Sequence, residues 1–303
     1  MEQKLHEIIN LLHPHVTVGG SKSVYPNYSV FWSSNATCPV TTLYEPMLCL
    51  VLQGEKEVTV GEQVFRYTPG DFFINSIELP IATQIIQASQ DTPYISLSIT
   101  LDPDKLAQVI TESGMEKREP AQRECFVLSK ASEDLLAPLS RLFELLDTPD
   151  DAAFLAPMIE RELLYRLLQS DQQEILRQIT GNDYRVNKIR DVINWVKEHY
   201  AESMSIKGLT EQAGMSQASL HRHFRSATGM TPLQFQKTIR LQEARKLLVE
   251  GKDVSETAYA VGYESPSQFS REYSRLYGIA PSVDAKRLQA RGVTRQEISH
   301  APW

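Results

Sequence analysis

Between Tyr28 and Leu101 apolar positions alternate with polar ones or gather in short runs, the pattern of β-strands. EKEVTVGEQVFRY reads as a hairpin, with Val58 and Val60 alternating before Gly61 and with Val64 and Tyr67 after it. TPGDFFIN follows. Its Pro69-Gly70 pair suits the centre of a type II turn, because proline presets a negative φ and glycine accepts a positive one. ATQIIQA and PYISLSITL supply two more strands, and short strands this closely spaced predict a sandwich or barrel. Met47, Cys49 and Val51 share one strand face and Leu48, Leu50 and Leu52 the other. Both faces are apolar, so the strand is covered on both sides.

Elsewhere the period is helical. MEQKLHEIINLLHPHV carries Leu5, Ile8, Ile9 and Leu12 on one face, and its mixed charges are unlike a secretory signal. DPDKLAQVITESG opens on an Asp-Pro entry and closes at Gly114. Two longer helices are predicted over Ser132–Asp147 and Phe154–Ser170, natural elements for relay or dimer formation. A short helix, QQEILRQIT, then ends at Gly181-Asn182. GNDYR reads as a linker, which divides the chain into domains 1–181 and 182–303. Beyond Tyr184 every segment is helical, including a long one, TPLQFQKTIRLQEARKLLVEG.

One pattern occurs twice. GMSQASLHRHFRSATGMTP (Gly214–Pro232) and GYESPSQFSREYSRLYGIAP (Gly262–Pro281) align with Leu220 on Phe269, Arg222 on Arg271, Phe224 on Tyr273, Gly229 on Gly278 and Pro232 on Pro281, always 49 residues apart. Each copy is a short helix, a glycine-containing turn and a second helix, the helix-turn-helix plan. In each second helix the apolar pair four residues apart faces a core. Ala218 and Arg222, or Ser267 and Arg271, lie about 200° away, facing out. An outward helix face bearing arginine can enter the major groove, where arginine donates two hydrogen bonds to guanine and glutamine does the same for adenine. The long helix between the copies would set them on successive grooves of one duplex. His221 and His223 are two apart on a helix and cannot share a metal ion.

These segments, from LTEQAGMSQASLHRHFRSATGMTPLQFQKTIRLQEARKLL to VSETAYAVGYESPSQFSREYSRLYGIAPSVDAKR, resemble the AraC/XylS family of transcription regulators over about 100 residues. Pro266, early in the second reading helix, departs from the pattern but is compatible with a first helical turn. The resemblance implies double-stranded DNA as partner, with base-edge contacts from Gln217, Ala218, His221 and Arg222 and from Ser267, Gln268, Ser270 and Arg271. Arg225 and Arg275, off the central face, are expected beside phosphates. The strand region from LYEPMLCLVLQGEKEVTVGEQ to SLSITLDP resembles the N-terminal domain of one branch of AraC-type regulators, a cupin-like barrel. That implies an α+β chain of two domains, the first sensing an effector or dimerising, the second all-α with two helix-turn-helix units.

Charge agrees with that division. The net charge is −7, but Tyr184–Trp303 carries +6 and Met1–Asp183 carries −13, the asymmetry expected when one domain approaches a polyanion. Three irregularly spaced cysteines and no CxxC argue against a disulfide framework and suit a reducing cytoplasm. No apolar run approaches a membrane span. Cupin enzymes hold metal on several histidines, and this chain has none between Val16 and Glu198. No catalytic triad or phosphate loop stands out either, so neither catalysis nor a cofactor is expected. A small-molecule effector in the barrel would meet walls drawn from Phe31, Trp32, Tyr44, Cys49, Phe65 and Phe73, residues that serve equally well as plain core. Cys49 also admits a thiol-based sensor of electrophiles or oxidants, which requires access and a lowered pKa. A homodimer is expected; RNA polymerase is a further partner if the protein activates. An interaction adaptor without DNA binding is the reading from another class, and Arg222, Arg271 and the basic C-terminal half argue against it.

Overall fold

The computed structural model describes residues 1–16, 19–115, 125–181 and 183–290. Asn182, part of the expected linker, and residues 291–303 of the expected second domain lie outside them. The N-terminal half is built on two antiparallel sheets. The larger contains β1 (Gly20–Tyr25), β2 (Tyr28–Ser33), β4 (Met47–Gln53), β7 (Asp71–Asn75), β9 (Tyr94–Thr100) and β10 (Phe126–Lys130), in the order β1-β2-β9-β4-β7-β10. The smaller contains β3 (Val40–Tyr44), β5 (Glu55–Val60), β6 (Gln63–Tyr67) and β8 (Leu79–Gln87), in the order β3-β8-β5-β6. Among the described residues no ladder joins the two sheets, so the expected barrel is a cupin-like sandwich. Gly70 takes φ +85°, as the type II turn requires.

Strand alternation sorts the larger sheet into two faces. Tyr28, Val30, Trp32, Leu48, Leu50, Leu52, Ile95, Leu97 and Ile99 pack under α1 (Glu2–Leu12), α2 (Pro103–Ser113), α3 (Glu133–Glu144) and α4 (Pro149–Gln169). Asp102 caps α2, accepting hydrogen bonds from the Asp104 and Lys105 amides, and Gly114 ends it in the left-handed region. α4 starts five residues before the expected Phe154, because Pro149 takes the first helical turn and Asp150 and Asp151 follow it. The opposite face looks toward the smaller sheet. Its apolar cluster does not stop at the sandwich: Cys49, Phe73, Ile77 and Leu79 are continuous with Val186, Ile189 and Ile193 of α6 (Tyr184–Glu198) and with Phe224 and Phe235 beyond. The link between α5 (Gln173–Ile179) and α6 is correspondingly short, with Asp183 acting as the α6 cap.

The helical half continues with α7 (Ile206–Ala213), α8 (Gln217–Thr228), α9 (Pro232–Val249), α10 (Val254–Ala260), α11 (Pro266–Tyr277) and α12 (Pro281–Ala290). Thr231 and Gln234 form a reciprocal capping box at the start of α9.

Candidate nucleic-acid interface and effector cavity

Helices α7 and α8, and again α10 and α11, form the two helix-turn-helix units. Gly214 turns the first in the left-handed region, and the Ser216 hydroxyl caps α8 by accepting from the Ser219 amide. Leu220 and Phe224 of α8, like Phe269 and Tyr273 of α11, are fully buried. Their burial fixes the rotation of each helix and turns the opposite face outward. Gln217, Ala218 and Arg222 are exposed on α8, with His221 half-buried. On α11 Ser267, Gln268 and Arg271 are exposed, with Ser270 half-buried. Pro266 occupies the first turn of α11, where its missing N–H leaves no bond unmade.

The units are braced by more than α9. Arg240, midway along it, donates to the carbonyl oxygens of Tyr200 (2.6 Å), Glu202 (2.8 Å) and Gly262 (2.8 Å), and Gln236 donates to those of Tyr200 (3.1 Å) and Glu202 (2.9 Å). Glu272 of α11 accepts from Lys237 of α9 (3.0 Å) and from the Tyr263 hydroxyl (2.9 Å).

The sandwich also meets the reading units. At the β5–β6 turn Glu62 accepts from Arg225 at 2.8 Å. Beside it, the Gly61 and Gly229 backbones approach so closely that a Cβ on Gly61 would lie 2.5 Å from the Gly229 oxygen. Arg275 lines the same groove with Glu62 and Lys237. A second ion pair, Glu78 with Lys197, joins the halves, and α11 lies against β3.

Between the sheets is a cavity of about 130 Å³, roughly ten times the 10–15 Å³ needed by one water. Of the expected wall residues, Phe31, Tyr44 and Cys49 line it. The other three do not. Trp32 follows Phe31 on β2 and so points to the opposite face, where it meets His13 edge-on at 5.6 Å. Phe73 stacks on Phe126 at 5.0 Å, and Phe65 packs on the same ring at 5.2 Å, filling the interior beyond the cavity. Cys49 is 4 % exposed and burial pushes its thiol up, the reverse of what a reactive thiol needs.

Lys56, outside the expected wall residues, is a further part of the cavity. It shares the inward alternation of Val58 and Val60, is 2 % exposed and lines the cavity. Its Nζ donates to the Tyr44 hydroxyl at 3.3 Å and lies over the Tyr44 and Tyr94 rings at 5.8 and 5.9 Å. Burial opposes its charged form, while the Tyr44 hydroxyl that accepts from Nζ and the ring faces of Tyr44 and Tyr94 favour it.

Comparison with known proteins agrees with this architecture. Residues 25–175 match the family profile described as AraC-type transcriptional regulator N-terminus, and residues 209–287 match one described as helix-turn-helix domain. The HTH-type transcriptional activator RhaS of Salmonella schwarzengrund (strain CVM19633) is 26 % identical over 174 residues, 56 % of this chain. That match spans 62 % of the relative's own length. In fold, the chain is similar to ToxT from Vibrio cholerae strain SCE256 in its unsaturated-fatty-acid-bound crystal form, with a TM-score of 0.56 and 12 % identity over 92 % of this chain and 99 % of that one. ToxT from V. cholerae O395 bound to (E)-4-(8-methylnaphthalen-1-yl)but-3-enoic acid gives 0.56 and 14 % over 86 % and 98 %.

Proposed function

The chain belongs to the AraC/XylS family of transcription regulators, and we propose that residues 182–303 bind a specific promoter site under control of a small molecule held by residues 1–181. The carrying observation is that both copies of the repeated unit bury their apolar pair and leave an arginine, Arg222 or Arg271, on the outward face. The α9 spacer has 18 residues, about 27 Å at 1.5 Å per residue, of the order needed to reach neighbouring major grooves about 34 Å apart. Gln217, Ala218, His221, Ser267, Gln268 and Ser270 complete the base-reading faces, and Arg225 and Arg275 flank phosphates.

Selection of bound duplexes from random DNA tests this. The expected product is a bipartite site. Arg222→Ala should relax preference in one half of it by about 1–3 kcal/mol. Arg225→Ala should instead weaken all sequences alike and reduce the salt dependence. Equal loss across all sequences for Arg222→Ala would remove its base-reading role.

The effector reading draws support from the cavity and from what surrounds it. β3 supplies Thr42, Leu43 and Tyr44 to the cavity wall and also lies against α11, so a ligand that moves β3 bears on a reading helix. Arg225 is engaged by Glu62 while the halves are in contact. A ligand that favours one arrangement of the halves over another shifts DNA affinity by the difference in its own affinities for the two. Glu62→Ala, which frees Arg225, should raise DNA affinity about two- to fivefold at low salt, the scale of an exposed ion pair; a gel-shift titration reads it, and an unchanged affinity counts against the contact. α4 presents Phe154, Met158 and Tyr165 to solvent, a stripe suited to a second copy of the chain.

A further inference from the structure

The cavity between the sheets has a charged floor. Lys56 is buried, yet among the described residues no carboxylate forms an ion pair with it; its ammonium donates to the Tyr44 hydroxyl. Its other close neighbours do not supply a counter-charge. Burial pushes up both the Cys49 thiol and the Tyr94 phenol, which leaves them neutral at physiological pH. Glu45 lies at the exposed rim. Isolated buried charges cost several kcal/mol, so in folded proteins they are ordinarily paired. The walls above the ammonium are rich in hydroxyls: Ser29 and Thr42 from the two sheets, and Ser96 and Ser98 from β9. Such a lining suits a ligand with hydroxyls of its own, and the small volume suits a short one.

We propose that this cavity binds a short hydroxylated carboxylate, its carboxylate paired with the Lys56 ammonium and its hydroxyls meeting the serine and threonine walls. The proposal rests on the effector reading above and names the chemical class. An anion completes the site because it supplies the charge that the protein withholds, and a neutral polyol of the same shape leaves Lys56 unpaired.

Calorimetric titration and thermal shift on the full chain decide it. The probes are lactate, malate and gluconate, with glucose and glycerol as neutral counterparts and octanoate as an apolar acid. At least one hydroxy acid should bind saturably and raise the melting temperature, while glucose and glycerol do not. Lys56→Met should bind that acid at least tenfold more weakly, yet melt no lower than the parent without ligand, since it removes an unpaired buried charge. The proposal is overturned if none of the three hydroxy acids binds, if Lys56→Met binds equally well, or if octanoate outcompetes them all. Glucose binding both proteins alike would overturn the anion while leaving the cavity as an effector site. DNA selection without ligand stands apart from all of these outcomes.

Discussion

Asp284→Ala will lower the urea-unfolding stability of the chain by about 3–5 kcal/mol, the usual loss when one member of a buried ion pair is removed. Asp284 stands on α12 and is 2 % exposed. It accepts from Arg245 Nε of α9 at 2.9 Å and from the Tyr273 hydroxyl of α11 at 2.7 Å. Arg245 also lies over the Tyr277 ring at 4.7 Å. One carboxylate therefore fastens three helices, and without it a guanidinium and a phenol are left buried and unanswered. Because Tyr273 sets the rotation of α11, DNA selection with the variant should also lose the half of the site that we assign to Arg271. The double variant Arg245→Met with Asp284→Leu should recover most of the stability, since an apolar pair of similar volume replaces the charges. A loss under about 1 kcal/mol for the single variant would put the pair in the exposed class.

The second large effect lies at Gly262. It has φ +86°, and a Cβ there would sit 2.1 Å from the Ala201 carbonyl oxygen, in the loop between α6 and α7. Alanine pays about 1–2 kcal/mol for the left-handed conformation and about 1–3 kcal/mol more for displacing the loop, so Gly262→Ala should cost roughly 2–5 kcal/mol. Gly278→Ala separates the two contributions. Its φ is +70° with nothing within 4 Å, so only the conformational part applies. Equal losses in the two variants, read by urea unfolding, would mean that the loop yields freely. A larger loss at Gly262 means that the contact holds the two reading units in register, together with Arg240, which donates to the carbonyls of Tyr200 and Gly262.

What the sequence disclosed was whatever is local. The Asp-Pro entry at Asp102, the stop at Gly114, the glycine-containing turn at Gly214 and the buried pairs Leu220/Phe224 and Phe269/Tyr273 follow from spacing alone. Elements with distant partners were harder to see. β10 comes long after the other strands and pairs with β7, while β1 is a largely exposed edge strand of polar residues; neither carries an apolar alternation. Trp32 looked like a cavity wall because it is aromatic, but strand parity commits it to the face opposite Phe31. The long helix α9 read as a lone rod; its bracing by Arg240 and Gln236 uses backbone carbonyls, which no side-chain pattern announces. Lys56 was legible in principle. It obeys the same alternation as Val58 and Val60, and only the general rule that lysines face water hid it.

The apolar seam that runs from Ile77 and Leu79 into Val186, Ile189 and Ile193 has a bearing on chimeric regulators. The two halves of this chain are not interchangeable cassettes joined by a tether, for each carries half of an apolar joint. A graft cut between α5 and α6 would set one relative's sandwich against another's first helix, with mismatched volumes on both sides. A crossover after α6 carries its Val186, Ile189 and Ile193 stripe across with the sandwich it grew up against, and so keeps that part of the joint matched.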